Sequence, residues 1–291
     1  MIDFITPVPL EEAVSSLGSK TRIGALLSSA EWQGLPAELR DRAFFSAWVE
    51  SERILAEAQR RIMQRVQMER DAIEAGGRVM ERGRFIEEMQ DLLESMGYEP
   101  DPDKAGSLQD LSSAGRLGLI WQMQLDQAHG HAKWKTGMDP DILNAVPAQE
   151  LVRGMQRLER REWPDIWRAA GGEFFGAPSK DYPRAEGRMI ALKTDPIWTE
   201  ISRFGTPWAP FDWGSGMVLK NIRRREAVEL GLIHGEEDFQ PLQTPFNSGL
   251  KASIKGFPQS AIERLQSRFG DRVLVDSVNG LIEWLTGKEG A

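Results

Sequence analysis

From Asp195 to Met217 the chain reads D-P-I-W-T-E-I-S-R-F-G-T-P-W-A-P-F-D-W-G-S-G-M. Pro196, Pro207 and Pro210 cannot donate a backbone hydrogen bond, and Gly205, Gly214 and Gly216 gain nothing from a regular helix. The stretch is therefore a long ordered turn, or it is nothing. Five aromatic residues, Trp198, Phe204, Trp208, Phe211 and Trp213, alternate with those breakers. Each large ring removes much apolar area from water, so aromatic burial is the term able to hold irregular backbone together. Two readings follow. In one, the rings form a small core beneath the turn, joined by Trp163 and Trp167 from upstream. In the other, Trp198, Trp208, Phe211 and Trp213 dock on a partner. Gly171, Gly172, Gly176, Gly187, Pro178 and Pro183 extend the turn-rich region backwards to about residue 169, with a short strand expected at Arg188–Lys193 around Met189-Ile190-Ala191-Leu192.

The first half of the chain has a different grammar. A short helix is expected from Leu10 to Leu17, ended by Gly18. After Pro36, no proline or glycine occurs until Gly76. Phe44, Trp48, Leu55, Ala58, Ile62 and Val66 fall at helical intervals, which predicts one helix over 37–75. Such a helix of ~38 residues would be ~57 Å long, the length of an extended arm or coiled-coil element. Further helices are predicted from Gly83 to Met96, from Ser112 to Trp134, from Leu151 to Trp167 with a kink at Pro164, and from Arg223 to Gly231. Residues 98–107 read as a polar linker. The end of the chain suggests strands at Leu250–Lys255, Arg272–Asp276 and Leu281–Leu285 around a helix from Pro258 to Phe269. The class is α+β and predominantly helical, in three segments: a long helical arm over 1–97, a domain over 98–235 carrying the irregular Gly/Pro/Trp-rich loop, and a small α/β appendage over 236–291.

Chemistry is narrowly bounded. The 291 residues include no cysteine, which removes disulfides, thiolate-bound metals and thiol nucleophiles. Hydrophobic residues at 41% suffice for a sizeable core. The formal net charge of −8 argues against coating nucleic acid by bulk charge. His129 and His131 lie ~200° apart on a helix and cannot share a metal; one is expected at the core edge and the other in solvent. His234 reads as a helix-end residue. No phosphate-binding glycine loop and no nucleophile elbow is present. No catalytic, cofactor or metal residue is assigned, and a non-enzymatic role is expected. Basic clusters at Arg153, Arg157, Arg160 and Arg161 and at Lys220, Arg223, Arg224 and Arg225 leave a phosphate-contacting alternative open. The start, M-I-D-F-I-T-P, lacks the basic and apolar pattern of a secretory signal, and no run has the length of a membrane helix.

Two segments together resemble a known family. Arg116–Trp134, R-L-G-L-I-W-Q-M-Q-L-D-Q-A-H-G-H-A-K-W, resembles the helix of phage Mu protein F-like head morphogenesis proteins. Ala191–Trp198, A-L-K-T-D-P-I-W, followed by Gly205–Gly214, G-T-P-W-A-P-F-D-W-G, is similar to that family's closing motif, an Asp-Asp-Pro-aromatic followed by a proline-rich, aromatic turn, with Thr194 standing at the first Asp here. The resemblance spans about residues 40–235. Many relatives close with a Pro-x-Cys-Arg-Cys element. Here Pro210-Phe211-Asp212-Trp213-Gly214 stands in its place, so no cysteine chemistry carries over. The resemblance implies a minor capsid protein of a tailed phage or prophage, packed inside the procapsid near the portal and acting in head assembly or DNA delivery. It implies the portal protein and other procapsid components as partners, weak non-specific contact with packaged DNA, no membrane and no cofactor. The implied location is the virion interior, and the host cytoplasm during assembly. Trp198, Trp208, Phe211, Trp213, Arg160, Arg161, Arg223, Arg224 and Arg225 are the interaction candidates. The alternatives are a nucleic-acid-binding module and a domain tied to a toxin-type enzyme, although 236–291 is short for a catalytic domain.

Overall fold

A computed structural model describes residues 10–24, 27–35, 37–75, 82–155, 161–235, 237–242 and 251–253, with 263, 266, 267, 270, 273–276, 278 and 281–284. Helices and strands are mixed, as expected for an α+β chain. Contacts group the residues into two compact units. One holds residues up to Glu12 together with Asp126–Gln243; the other holds Ala13–Leu125 and the described residues of Thr244–Ala291. The division runs through a helix, whereas the sequence reading set its boundaries after residues 97 and 235.

In the unit that begins at Ala13, α1 (Leu10–Gly18) leads to β1 (Thr21–Arg22), α2 (Ser29–Gln33), α3 (Ala37–Asp41) and β2 (Ala43–Phe44). Ser28 caps α2 by accepting from the Glu31 N–H, and the Glu31 carboxylate accepts in turn from the Ser28 N–H. Then come α4 (Glu52–Ala75), α5 (Arg82–Ser95) and α6 (Ala114–Gly137). The single helix expected over 37–75 is thus broken. Ala43 and Phe44 pair in parallel with Thr21 and Arg22, and Trp48 sits at φ 62°, a left-handed conformation that no helix accepts. The helix restarts after Ser51, whose hydroxyl accepts from the Ile54 N–H at 3.4 Å. At 24 residues, α4 is ~36 Å long, shorter than the ~57 Å of the single expected helix.

The apolar spacing does decide what faces inward. Leu55, Ala58, Ile62 and Val66 of α4, Phe85, Met89 and Leu93 of α5, and Leu117 and Trp121 of α6 are all buried. Phe85 and Trp121 meet with ring centroids 4.7 Å apart. Gln59, buried on α4, donates to the Leu17 and Lys20 carbonyls at 2.8 and 2.9 Å and so satisfies acceptors at the end of α1. Arg116 on α6 donates to Ser46 Oγ and the Ala47 carbonyl, both at 2.8 Å, which pins the turn carrying Trp48.

In the other unit, α6 is followed by α7 (Pro140–Ala145), β3 (Ala148–Arg153), α8 (Trp163–Ala169), β4 (Phe174–Phe175), β5 (Arg188–Leu192), α9 (Ile197–Glu200), β6 (Met217–Ile222) and α10 (Arg224–Glu229). The strands form one antiparallel sheet in the order β4-β5-β3-β6. The helix expected over Leu151–Trp167 is therefore wrong in its first part. Leu151 and Val152 lie in the centre of the sheet, and Pro164 opens α8 instead of kinking a longer helix. The strand at 188–193 and the helix at 223–231 match β5 and α10 closely. One sheet face packs Leu151, Met189, Ala191 and Met217 against Trp163, Trp167, Trp198 and Phe211. The opposite face packs Ala148, Ile190 and Ile222 against Ala227 and Ile233.

Near the end of the chain, β7 (Lys251–Ser253), β8 (Val273–Asp276) and β9 (Leu281–Trp284) make a three-stranded antiparallel sheet in the order β7-β9-β8. These match the three expected strands. The helix expected at Pro258–Phe269 falls for the most part outside the described residues. No helix among the described residues is long and apolar enough to cross a membrane.

Candidate functional site

The tryptophan-bearing turn is seated on the second half of α6. Gln127, Gly130, His131 and Trp134 are spaced i, i+3, i+4 and i+7, so they share one helix face. Trp208 lies across it. Its indole N–H donates to Gln127 Oε1 at 2.8 Å, and the Gln127 amide donates to the Pro210 carbonyl at 3.4 Å. The Trp208 ring meets His131 edge-on at 5.1 Å and Trp134 at 5.2 Å between centroids. The Ala209–Pro210 peptide is cis. Gly130 makes this approach feasible, because a Cβ there would stand 2.0 Å from the Ala209 carbonyl oxygen and 2.6 Å from Trp208 Cδ1. Since the first of these is main chain, no rotamer change relieves it.

Beneath the turn, Trp167 and Trp198 are 5.3 Å apart, and Trp198 and Phe211 are 6.0 Å apart and stacked. The indole N–H groups of Trp198 and Trp167 donate to the Leu192 and Glu173 carbonyls at 2.7 and 2.8 Å. Buried indoles need such acceptors, since an unpaired buried N–H is costly. Trp198, Trp208 and Phe211 are 0%, 1% and 0% exposed. These three rings pack in the interior of the unit, as in the first of the two readings of the turn, and are not exposed on its surface. Trp213 is half-buried and meets Phe204 edge-on at 5.1 Å. Its carbonyl accepts from Arg161 at 2.9 Å, and Asp212 is approached by Arg161 at 3.3 Å and Arg203 at 3.6 Å. Two arginines thus close the outer rim of the turn.

The remaining basic candidates divide by use. Arg153 donates to the Tyr182 hydroxyl and lies over that ring; burial raises the Tyr182 pKa. Arg157 and Arg160 lie outside the described residues. Arg224 donates to the Asn144 carbonyl and the Glu237 carbonyl, both at 2.7 Å, and covers the Phe239 ring. These bonds make it a clamp inside the unit. Arg225 pairs with Glu229 at 2.8 Å, one helical turn away. Lys220 and Arg223 are exposed.

Three features had no counterpart in the sequence reading. Gln127 and Gly130 hold the turn, and their spacing with His131 and Trp134 was the available signal. Glu150, buried on β3, binds Arg188 at 3.0 and 2.6 Å, and Arg188 also reaches Glu226 at 2.8 Å. These acids raise the Arg188 pKa, with the Glu150 hydrogen bonds the largest cause. Lys193 is buried, and desolvation pulls its pKa down to about 8. Its chain runs past Gly137, where a Cβ would lie 3.4 Å from Nζ.

His131 is buried while His129 is half-buried. Among the described residues, no group of three or more His, Asp or Glu side chains is arranged to hold a metal ion. The geometry is that of a turn seated by hydrogen bonds and ring contacts on one face of a helix. No family model, no curated protein and no solved structure matches the chain.

Proposed function

We propose that the chain is a head morphogenesis protein of a tailed phage or prophage, a minor capsid component with a Mu F-like domain that works beside the portal during head assembly or DNA delivery. One observation carries the reading: the two segments bearing the resemblance pack on one another. Gln127, Gly130, His131 and Trp134 from the helix motif receive Trp208, Ala209 and Pro210 from the closing motif. In this reading the cysteine-containing element of relatives is replaced by buried aromatics and by the Arg161–Asp212–Arg203 rim.

The test is coexpression with the portal protein of the same operon, followed by purification of procapsids. Wild type is expected to copurify with portal and to enter the particles. Gly130→Leu, which unseats the turn, is expected to be excluded. Failure of the wild-type chain to associate with portal or procapsid overturns the proposal.

A further inference from the structure

Among the described residues, the sheet of the Asp126–Gln243 unit ends at β6, which has a strand on one side only. β6 pairs with β3 over its whole length, from Met217↔Arg153 to Ile222↔Ala148. Two flanking bonds define which groups face outward. Gly154 donates to the Gly216 carbonyl at 2.9 Å, and Lys193 donates to the Pro147 carbonyl at 2.8 Å. Extending both registers inward, Ala148, Glu150 and Val152 exchange bonds with Ile222, Lys220 and Val218, while Gln149 turns to β5. The N–H and C=O groups of Leu219 and Asn221 therefore point away from the sheet. Among the described residues nothing pairs with them. The Met217 N–H, at the start of the same edge, is taken by Ser215 Oγ at 3.4 Å.

The side chains along the edge state what it would accept. Val218 is 42% exposed, opposite Val152 in the β3 register. Two residues on, on the same face, Lys220 is half-exposed and stands 4.0 Å from Glu150. That carboxylate is already held by two bonds from Arg188, so Lys220 retains an ammonium directed toward solvent. Arg223 follows, also exposed. A second copy of β6 laid antiparallel would bring cation toward cation, which disfavours self-pairing. An acidic strand would meet the opposite sign.

We propose that β6 is a docking edge for an extended, acidic segment of a partner protein, which adds a fifth strand to the sheet. Main-chain bonds to Leu219 and Asn221 hold the segment. Specificity comes from an apolar side chain beside Val218 and an acidic side chain two positions away beside Lys220. Nucleic acid is the rival occupant: it offers charge but no strand.

The inference is independent of the capsid assignment. Its test is selection of a random twelve-residue peptide library against the full chain, with hydrogen exchange on the winning complex. The expected winners carry an apolar and an acidic residue two positions apart, and they slow exchange at Leu219 and Asn221. Asn221→Pro removes one outward donor without touching the β3 ladder and is expected to weaken the selected peptide about tenfold. Asn221→Ala keeps the donor and is expected to bind as wild type. Lys220→Glu is expected to weaken acidic winners by a similar factor and keeps the test decisive if the proline variant does not fold. Winners without acidic residues, unchanged exchange at Leu219 and Asn221, or equal binding to Lys220→Glu would each overturn the inference. So would competition in which a single-stranded oligonucleotide of equal charge displaces the peptide and binds more tightly.

Discussion

Gly130→Ala adds one methyl group to α6, and the structure assigns it an effect opposite in sign to the usual one. In a helix interior, glycine to alanine ordinarily stabilises by ~1 kcal/mol, because the flexible backbone of glycine loses more entropy on folding. At Gly130 the new Cβ would lie 2.0 Å from the Ala209 carbonyl oxygen and 2.6 Å from Trp208 Cδ1. Restoring an ordinary carbon–oxygen contact of ~3.3 Å moves the turn by more than ~1 Å. That displacement breaks the bond from Trp208 to Gln127, worth about 1 kcal/mol. It also opens a gap beside a fully buried indole, at roughly 2 kcal/mol by comparison with partial loss of a large buried side chain. Against the propensity gain, the net expectation is destabilisation by about 2 kcal/mol, a factor near 30 in the folding equilibrium.

Gly118 on the same helix supplies the internal control. The atoms nearest a Cβ there belong to the flexible guanidinium of Arg82, the closest being Nη2 at 2.0 Å. Arg82 is exposed and can swing into solvent. Gly118→Ala is therefore expected to be neutral or stabilising by up to ~1 kcal/mol. The assay is urea unfolding followed by tryptophan fluorescence, with the slope checked for constancy between variants. If Gly130→Ala and Gly118→Ala shift the midpoint in the same direction, the turn is not seated on α6 as described.

Other outcomes test other parts of the molecule. Trp208→Phe and Gln127→Ala, alone and together, should show a coupling of about 1 kcal/mol in a double-mutant cycle; a coupling near zero would contradict the Trp208–Gln127 bond. Arg188→Met leaves the buried Glu150 carboxylate with Lys220, 4.0 Å away, as its ion-pair partner among the described residues and should cost about 3 kcal/mol, whereas adding Glu150→Leu should recover most of it; chemical denaturation distinguishes the two. Lys193 has its pKa lowered by burial from 10.5 to about 8. The folded state then binds fewer protons than the unfolded state between those values, so this penalty is full below pH 8 and lifts as pH rises toward 10.5. Lys193→Met should stabilise the protein at pH 7 by at most about 3 kcal/mol, and the gain should fade across that window. A constant gain at all pH values would refute the burial of the ammonium.

Helix faces were readable wherever apolar residues recur at three and four, as in Leu55–Val66 and Phe85–Leu93, because a helix makes its own hydrogen bonds and the pattern needs no distant partner. The same logic misled over Leu151–Trp167. Its arginines have helical spacing, but Leu151 and Val152 gain more from the central place between β5 and β6 than a local helix offers. β6 escaped notice for the related reason that Met217–Ile222 alternates only in part. The break at residues 42–51 was hidden because Phe44 and Trp48 happen to continue the helical interval, while the parallel pairing with Thr21 and Arg22 is set by residues far back in the chain.

The turn at 195–217 marks the boundary between the two kinds of information. Its prolines, glycines and aromatic rings were enough to confine helix there to the single turn of α9 and to require that rings be buried, since those are properties of each residue and its neighbours. Which rings turn inward, that Trp208 finds Gln127, and that Gly130 must lack a side chain depended on another element arriving against the turn. Such contacts join residues some eighty positions apart, and no local pattern encodes the distance between them.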